Sequence, residues 1–334
     1  MFMSTILTER LLLRQWCMAD IATLAQINQD PKVMEYFPAP RSYVETESFV
    51  LANMDLCNNG EPFFFAVEEV KSSELIGFVG ICKVDHNMPF APAIEIGWRL
   101  AAKYWGQGYA LEAANAVVKY AFEKLGITEL VSFTVPDNVR SRKLMERLGF
   151  LHEPENIFSH PKIAADHKFS KHVLYRLISP HIKIDLLKNY PLSIPALAKI
   201  WHEVLGKIWM PEIGIAKIES GYYEELNEEL PLAYVALYDG VPVGTCSLQL
   251  NGGIRPDLKP CLGDLVVDAK YQKRGIGKML IDVAMKKTKA LGFEKLYLFA
   301  FDPAIPKYYQ LLGWRKIGMD EFNYLPVTVM EISI

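Results

Sequence analysis

One glycine-rich motif occurs twice in this chain, and the spacing of its copies constrains the fold more than any other feature. YWGQGYALEAA places Gly108 where YQKRGIGKMLI places Gly275, 167 residues further on. Gly77 in ELIGFVG and Gly244 in VPVGTCS keep the same offset of 167. Gly126 in EKLGI and Gly292 in KALGF stand 166 apart, Gly149 in MERLGF and Gly313 in YQLLGW 164, and Leu24 in TLAQI and Leu197 in ALAKI 173. An offset that drifts by a few residues is what loop insertions produce in two copies of one fold. A length of 334 residues suffices for two ordinary domains.

The order of local patterns repeats too. A short strand (RLLLRQW; HIKIDLL) precedes a helix with apolar i, i+3, i+4 spacing at Ile21, Leu24, Ala25 and at Leu197, Ile200, Trp201. Aromatic and β-branched runs follow (PFFFAVEEV, LIGFVGICKV; LAYVALYDG, PVGTCSLQL), set as antiparallel hairpins by turn-forming breaks. A third run (AIEIGWRL; CLGDLVV) enters the glycine turn, and an amphipathic helix (ALEAANAVVKYAFEKLG; GKMLIDVAMKKTKALG) closes on a C-cap glycine. A further strand (ELVSFTV; KLYLFAF) and a short helix ending at Gly149 or Gly313 come next. A strand–helix–strand crossover joined to hairpins predicts an α+β (mixed α/β) fold, each half a mixed, mostly antiparallel sheet flanked by helices. Pro180 breaks the strand pattern in LISPHIK, which gives domains over residues 1–178 and 183–334.

The glycine turn is neither of two familiar phosphate cradles. A Walker loop needs G-x-x-x-x-G-K-[ST], but Met279 follows Gly277-Lys278 and Gln272 stands five residues before Gly277. A dinucleotide fingerprint needs a small residue where Leu280 stands. A helix N-terminus still leaves its first N–H groups unpaired and carries a partial positive charge. A glycine turn there wraps a diphosphate without a basic side chain.

Composition narrows the partners. A formal charge of −3 with interspersed signs offers no basic face to nucleic acid. No run approaches the ~18–20 apolar residues of a membrane span, and MFMSTILTERLLL lacks a basic start and a cleavage site, so a cytoplasmic protein is expected. Five cysteines without a C-x-x-C pair point to reduced thiols, and His160, His167 and His172 lack metal-ligand spacing, so no metal is expected.

The strand, turn and helix around Gln272-Lys273-Arg274-Gly275-Ile276-Gly277 resemble the GNAT superfamily of acyl-CoA-dependent N-acyltransferases, whose signature is [QR]-x-x-G-x-[GA] between the fourth strand and third helix. The first copy, Trp105-Gly106-Gln107-Gly108-Tyr109-Ala110, departs by placing Trp where Gln or Arg is usual. With PDNVRSRKLMERLGF and the tail FSHPKIAADHKFSKHVLYRL it resembles the ribosomal-protein alanine N-acetyltransferase branch. That resemblance covers nearly all of residues 5–178; in the second half it is firm over residues 234–314.

The resemblance implies two GNAT domains in tandem that bind acetyl-CoA. A pantetheine arm would pair with the main chain of Trp98, Arg99 and Leu100 in one copy and of Leu265, Val266 and Val267 in the other. The pyrophosphate would lie on the amides of 105–110 and 272–277. An amine, on a small molecule or a protein N-terminus, would attack the thioester between the fourth and fifth strands. Such an amine is mostly protonated at neutral pH, so a general base helps. Glu95 and Asp264, on the strands entering the turns, are each either that base or a solvated or hydrogen-bonded strand carboxylate. The repeat offset aligns Glu95 with residue 262, and two-residue alternation would keep Asp264 on the same face. Tyr309 matches the family tyrosine that protonates the leaving thiolate. Met145 stands at its place in the first copy, where Ser141 is either the acid or a first-turn residue of a helix capped by Asn138, which is also placed to bond pantetheine. Asp302-Pro303-Ala304-Ile305-Pro306 replaces Asn-x-x-Ser in the second copy. The alternative function is an acyl-CoA-binding module with one or both halves non-catalytic, and the assembly is a monomer or a homodimer.

Overall fold

A computed structural model describes residues 5–334, and for 153–156 the backbone alone. Met1–Ser4, the start of the stretch read for a leader, lie outside the described residues. The chain divides into two compact units, one ending at Ser179 and the other beginning at Pro180.

The first unit is an eight-stranded sheet with four helices. Its elements are β1 (Thr5–Leu7), β2 (Leu11–Arg14), α1 (Asp20–Gln29), α2 (Tyr43–Asn58), β3 (Phe64–Glu69), β4 (Glu74–Lys83), β5 (Ile94–Leu100), α3 (Tyr109–Lys119), β6 (Glu129–Thr134), α4 (Val139–Arg147), β7 (Leu151–Ser159) and β8 (Lys171–Ile178). The strand order is β1-β2-β3-β4-β5-β6-β8-β7, antiparallel throughout except for β5 beside β6. Strand alternation divides the core. Phe65, Val67, Ile81 and Ile96 pack on one face with Ala113, Val117 and Tyr120. Trp16, Ala66 and Phe78 pack on the other with Ile21 and Leu24 of α1 and Val50 of α2.

The second unit consists of β9 (Ile182–Leu186), α5 (Ile194–Trp201), α6 (Lys207–Trp209), α7 (Ile215–Glu224), β10 (Leu232–Tyr238), β11 (Val241–Gln249), β12 (Cys261–Val267), α8 (Ile276–Ala290), β13 (Lys295–Ala300), α9 (Ile305–Leu311), β14 (Arg315–Phe322) and β15 (Leu325–Ser333). Its order, β9-β10-β11-β12-β13-β15-β14, matches the first unit strand for strand from β2 onward. Both are α+β folds with a mixed, mostly antiparallel sheet.

Two elements were not marked by the sequence patterns. Helix α2 starts at a capping box, in which the Ser42 hydroxyl accepts from the Glu45 amide and the Glu45 carboxylate accepts from the Ser42 amide. Its counterpart α7 begins after Gly214 without a side-chain cap. The long helix expected through Gly126 stops at Lys119 and continues as a π turn over Tyr120–Lys124. That turn brings the consecutive residues Tyr120, Ala121 and Phe122 all into the core, which a regular helix advancing ~100° per residue would not do. Among the described residues, no helix is long and apolar enough to cross a membrane.

Gly80 in β4 lies against the backbone at the start of β3 with no room for a side chain. A Cβ there would stand 2.3 Å from Phe64 Cα and 2.5 Å from the Phe63 carbonyl oxygen, both backbone atoms. Gly80→Ala is therefore expected to lower stability by about 2–3 kcal/mol, the cost of forcing backbone to shift in a packed sheet. A urea midpoint equal to wild type would contradict this.

Candidate active sites

The two glycine turns follow one backbone plan with different side chains. In the first unit β5 enters a 3-10 turn, Ala102–Tyr104, and Gly106 and Gly108 follow at φ +75° and +85°. Gly108 is the N-cap of α3 and supplies no side-chain acceptor to the helix's first amides. In the second unit Gly275, at φ +93°, begins α8 in the same way. Lys273, at φ +62°, takes the place of Gly106. A side chain in that left-handed region costs roughly 1 kcal/mol.

Each loop is tied back to its strand by one bond of equal span. Trp105 Nε1 donates to the Leu100 carbonyl at 2.8 Å, and Gln272 Nε2 donates to the Val267 carbonyl at 3.0 Å. An indole N–H and a carboxamide N–H thus do the same job, which explains tryptophan at a position where Gln or Arg is usual.

Arg10, just ahead of β2, was not marked by any motif. Its Nη1 donates to the Gln107 carbonyl (3.0 Å), its Nε donates to Glu112 (2.7 Å), and its guanidinium lies 4.4 Å from the centre of the Tyr109 ring. It braces the loop and neutralises the one acid in the first turn of α3. In the second unit Arg274 lies 5.0 Å from the Tyr271 ring centre, and Tyr308 brings its hydroxyl within 3.8 Å of where a Cβ on Gly277 would stand.

Beside each turn the sheet opens. β5 and β6 share one parallel rung, Glu95 with Val131, and β12 and β13 share one, Cys261 with Tyr297. Beyond the rung, Trp98, Arg99 and Leu100 pair only with β4, and Val266 and Val267 only with β11. That leaves a main-chain edge facing a gap, which in a folded protein calls for a hydrogen-bonding partner.

These rungs make Cys261, rather than residue 262, the counterpart of Glu95. The extra residue is a bulge in β12 opposite the stretch between Thr245 and Ser247, where Asp264 adopts φ +50°. The bulge, not strand alternation, aims Asp264 at α5. Trp201 Nε1 and Ser247 Oγ donate to its two oxygens at 2.7 and 2.9 Å. Burial pushes its pKa up, against the pull of those two donors.

Next to it lies a second carboxyl that sequence reasoning missed. Glu225, at the end of α7, is 6% exposed; Oε1 accepts from Gln249 Nε2 at 2.8 Å and Oε2 has no partner. Burial, and then the charge of Asp264, push its pKa up to about 8. The Tyr222 hydroxyl, on a side chain 2% exposed, also lacks a partner. Burial raises both carboxyls, and the donors on each oxygen of Asp264 favour its charged form more than the single donor on Glu225 does. No periodicity could have marked Glu225, because it faces the site from a helix terminus 39 residues before Asp264.

Glu95 is partly buried, and Cys82 Sγ donates to it at 3.7 Å; burial pushes its pKa up to about 7. Tyr309 packs edge-on against Trp314 (5.6 Å between centres), and burial pushes its hydroxyl well above the usual tyrosine range. Met145, its counterpart in the first unit, is wholly buried. Asn138 caps α4: its Oδ1 accepts from the Ser141 amide (3.2 Å) and its Nδ2 donates to Thr134 (3.0 Å). The carboxamide is thus engaged at both ends within its own turn. His160 and His167 each accept from a backbone amide two residues on, and the His160 and His172 rings lie 5.0 Å apart. Among the described residues no group of three or more His, Cys, Asp or Glu is arranged to hold a metal.

Comparison with known proteins agrees with this architecture. The family description "Acetyltransferase (GNAT) domain" matches residues 10–151, and "Acetyltransferase (GNAT) family" matches residues 195–314. The uncharacterized N-acetyltransferase p20 of Bacillus licheniformis is 31% identical over 153 residues, 45% of this chain and 84% of that protein. The [ribosomal protein uS5]-alanine N-acetyltransferase of Escherichia coli is 28% identical over 121 residues, 36% of this chain and 60% of that protein. A crystal structure of a GNAT-family acetyltransferase from Bacillus anthracis is 27% identical, covering 52% of this chain and 98% of that one with a TM-score of 0.44. The chain belongs to the GNAT acetyltransferases and carries two such domains in tandem, which makes it an acyl-CoA-dependent acetyltransferase.

Two raised carboxyl pKa values give the fold a pH signature. Glu95 and Glu225 bind protons in the folded state up to about pH 7 and 8, whereas in the unfolded chain they ionise near 4.5. Their contribution to stability is full below about 4.5 and is lost as pH rises through 7 to 8. His172, pushed down to about 4 by burial, acts in the opposite sense below its ordinary 6.5. Stability is therefore expected to fall from about pH 6.5 to 8, and Glu225→Gln should flatten the fall in the second unit. Urea midpoints that are flat or rising across this window would contradict the assignment.

Proposed function

We propose that both units bind acetyl-CoA and that the second, at least, transfers the acetyl group to a primary amine by direct attack. The observation that carries this reading is the open strand edge running into a glycine-started helix, with a buried acid group and a tyrosine alongside. The pantetheine amides would pair with the main chain of Trp98, Arg99 and Leu100, or of Leu265, Val266 and Val267. The pyrophosphate would accept from the amides of Trp105, Gly106, Gln107, Gly108, Tyr109 and Ala110, or of Gln272, Lys273, Arg274, Gly275, Ile276 and Gly277. Lys273 keeps its strained backbone where its ammonium adds a cation to the rim.

In the second unit the incoming ammonium gives a proton to the Asp264–Glu225 group, directly or through water. The neutral amine then forms the N–C bond, the C–S bond breaks as the adduct collapses, Tyr309 protonates the departing thiolate, and the second proton lost by the nitrogen restores the tyrosine. A tyrosine kept protonated by burial suits that role. In the first unit Glu95, poised near pH 7, is the base. Met145 cannot donate a proton, so the thiolate there takes one from Ser141 or water. That difference favours a second reading for this unit alone, binding without rapid turnover. The acceptor remains an amine on a small molecule or on a protein N-terminus; the E. coli relative is named for a ribosomal protein alanine.

Calorimetric titration with acetyl-CoA tests the reading. Wild type is expected to show two sites, with Gly108→Glu removing one and Gly275→Glu the other. Tyr309→Phe should lower kcat of the second unit by ~10²-fold or more while acetyl-CoA still binds. No binding in wild type would sink the proposal, and an unaffected rate in Tyr309→Phe would remove the tyrosine from it.

A further inference from the structure

We infer that the first unit's acceptor cleft holds a receptor for a carboxylate carried by the amine substrate itself. The inference rests on the acetyltransferase reading above and names its substrate class: a primary amine with an anionic far end.

Arg99 projects from β5 beneath α1 and is 8% exposed. Its Nη1 donates to Asn28 Oδ1 at 2.7 Å, and Asn28 is held in that orientation by donating to Thr46 Oγ1 at 2.9 Å. Nε is buried without a partner. The guanidinium lies between Phe37 and Phe78, at 4.3 and 5.4 Å from their ring centres. Burial, and then the like charge of Arg41, lower the pKa of Arg99 to about 9. Carboxylates close in sequence are engaged elsewhere, Glu35 with Arg140 and Glu45 with Ser42.

Burying a cation without an anion is costly, and contacts with two aromatic rings and one amide oxygen return only part of that cost. Two guanidinium groups with no acid between them make a site for an anion. The edge left open by Asn28, Nε with Nη2, has the fork geometry that a carboxylate matches. Glu95, Gly97 and Arg99 alternate onto one face of β5, so the receptor lies ~13 Å along the strand from the proposed base. A Cβ on Gly97 would press on the Phe64 ring at 3.2 Å and stand in ordinary contact with Glu95 Oε1 at 3.6 Å. Phe37, which lies against the guanidinium, is 39% exposed, and Arg41 is partly exposed.

The test uses the full chain carrying Gly275→Glu, so that turnover reports the first unit. The probes are 4-aminobutyrate, 6-aminohexanoate and 8-aminooctanoate, each against its primary amide, with inorganic phosphate as a separate oxyanion. Binding in the presence of CoA is read by calorimetry, and transfer by release of CoA. At least one acid should bind and react at least ~10-fold better than its amide, the usual worth of a charge-assisted bond. That ratio should collapse toward one in Arg99→Met and in Arg41→Gln. Arg99→Met should remain folded with an equal or higher melting temperature, since it removes an unpaired buried cation. An acid bound no better than its amide, a ratio preserved in Arg99→Met, or binding of phosphate without any aminoalkanoate would each overturn the inference. Acetyl-CoA titration of the same protein tells these outcomes apart from failure of the acetyltransferase reading.

Discussion

A parallel strand pair held by a single rung is the constraint on which both units depend. Main-chain groups in the middle of a sheet are normally paired on both edges, and those of β5 and β12 are not. The rest of each unit is arranged around that deficit. The outer half of the sheet is closed without β5 or β12, by antiparallel pairing of β6 with β8 and of β13 with β15. The loop leaving the open strand returns one donor to its last carbonyl, from Trp105 or Gln272. The glycine that follows starts a helix whose first amides are left free as well. Unpaired strand groups and unpaired helix groups thus lie end to end, suited to a ligand that is amide-bearing at one end and anionic at the other.

The acceptor sides of the units differ in charge. Under α1 the first unit buries Arg99 with no ion-pair partner, on the strand face that also carries Glu95, and under α5 the second buries two carboxyl groups, Asp264 and Glu225. By the repeat offset Arg99 corresponds to Val266, and the bulge that supplies Asp264 has no counterpart in β5, whose pairing with β4 is regular from Gly77 to Lys83. The units therefore share a backbone plan and a carboxyl beside the open strand, and differ in the arginine that the first alone buries there.

How much of this was legible in the sequence follows from the same division. The glycine turns, the helix starts and the strand order are set by local chemistry and by a repeat that keeps register, and they could be read from Gly108, Gly275 and the landmark offsets. Helix α2 escaped because its sixteen residues lack a clear apolar face, burying only Thr46, Val50 and Asn53. Asp264 could be named, but not the reason it points into the site, because one inserted residue breaks the alternation on which a strand reading relies. Glu225, Arg10 and the side chain of Arg99 depend on contacts between residues 24 to 102 positions apart, which no spacing rule reports.

The exchanges between copies show which half of the site tolerates change. Where recognition is by main chain, side chains may be swapped if one hydrogen bond or one backbone angle survives: Trp105 for Gln272 keeps the loop bond, and Gly106 for Lys273 keeps positive φ. Where a side chain carries the buried charge, a single exchange removes it, as Val266 in the place of Arg99 does. On the proposed reading, the acyl-donor half is therefore nearly the same in the two copies and the acceptor half is where they differ. A buried charge without a partner is the physical trace of that divergence, because a fold selected for stability alone would neutralise or remove it.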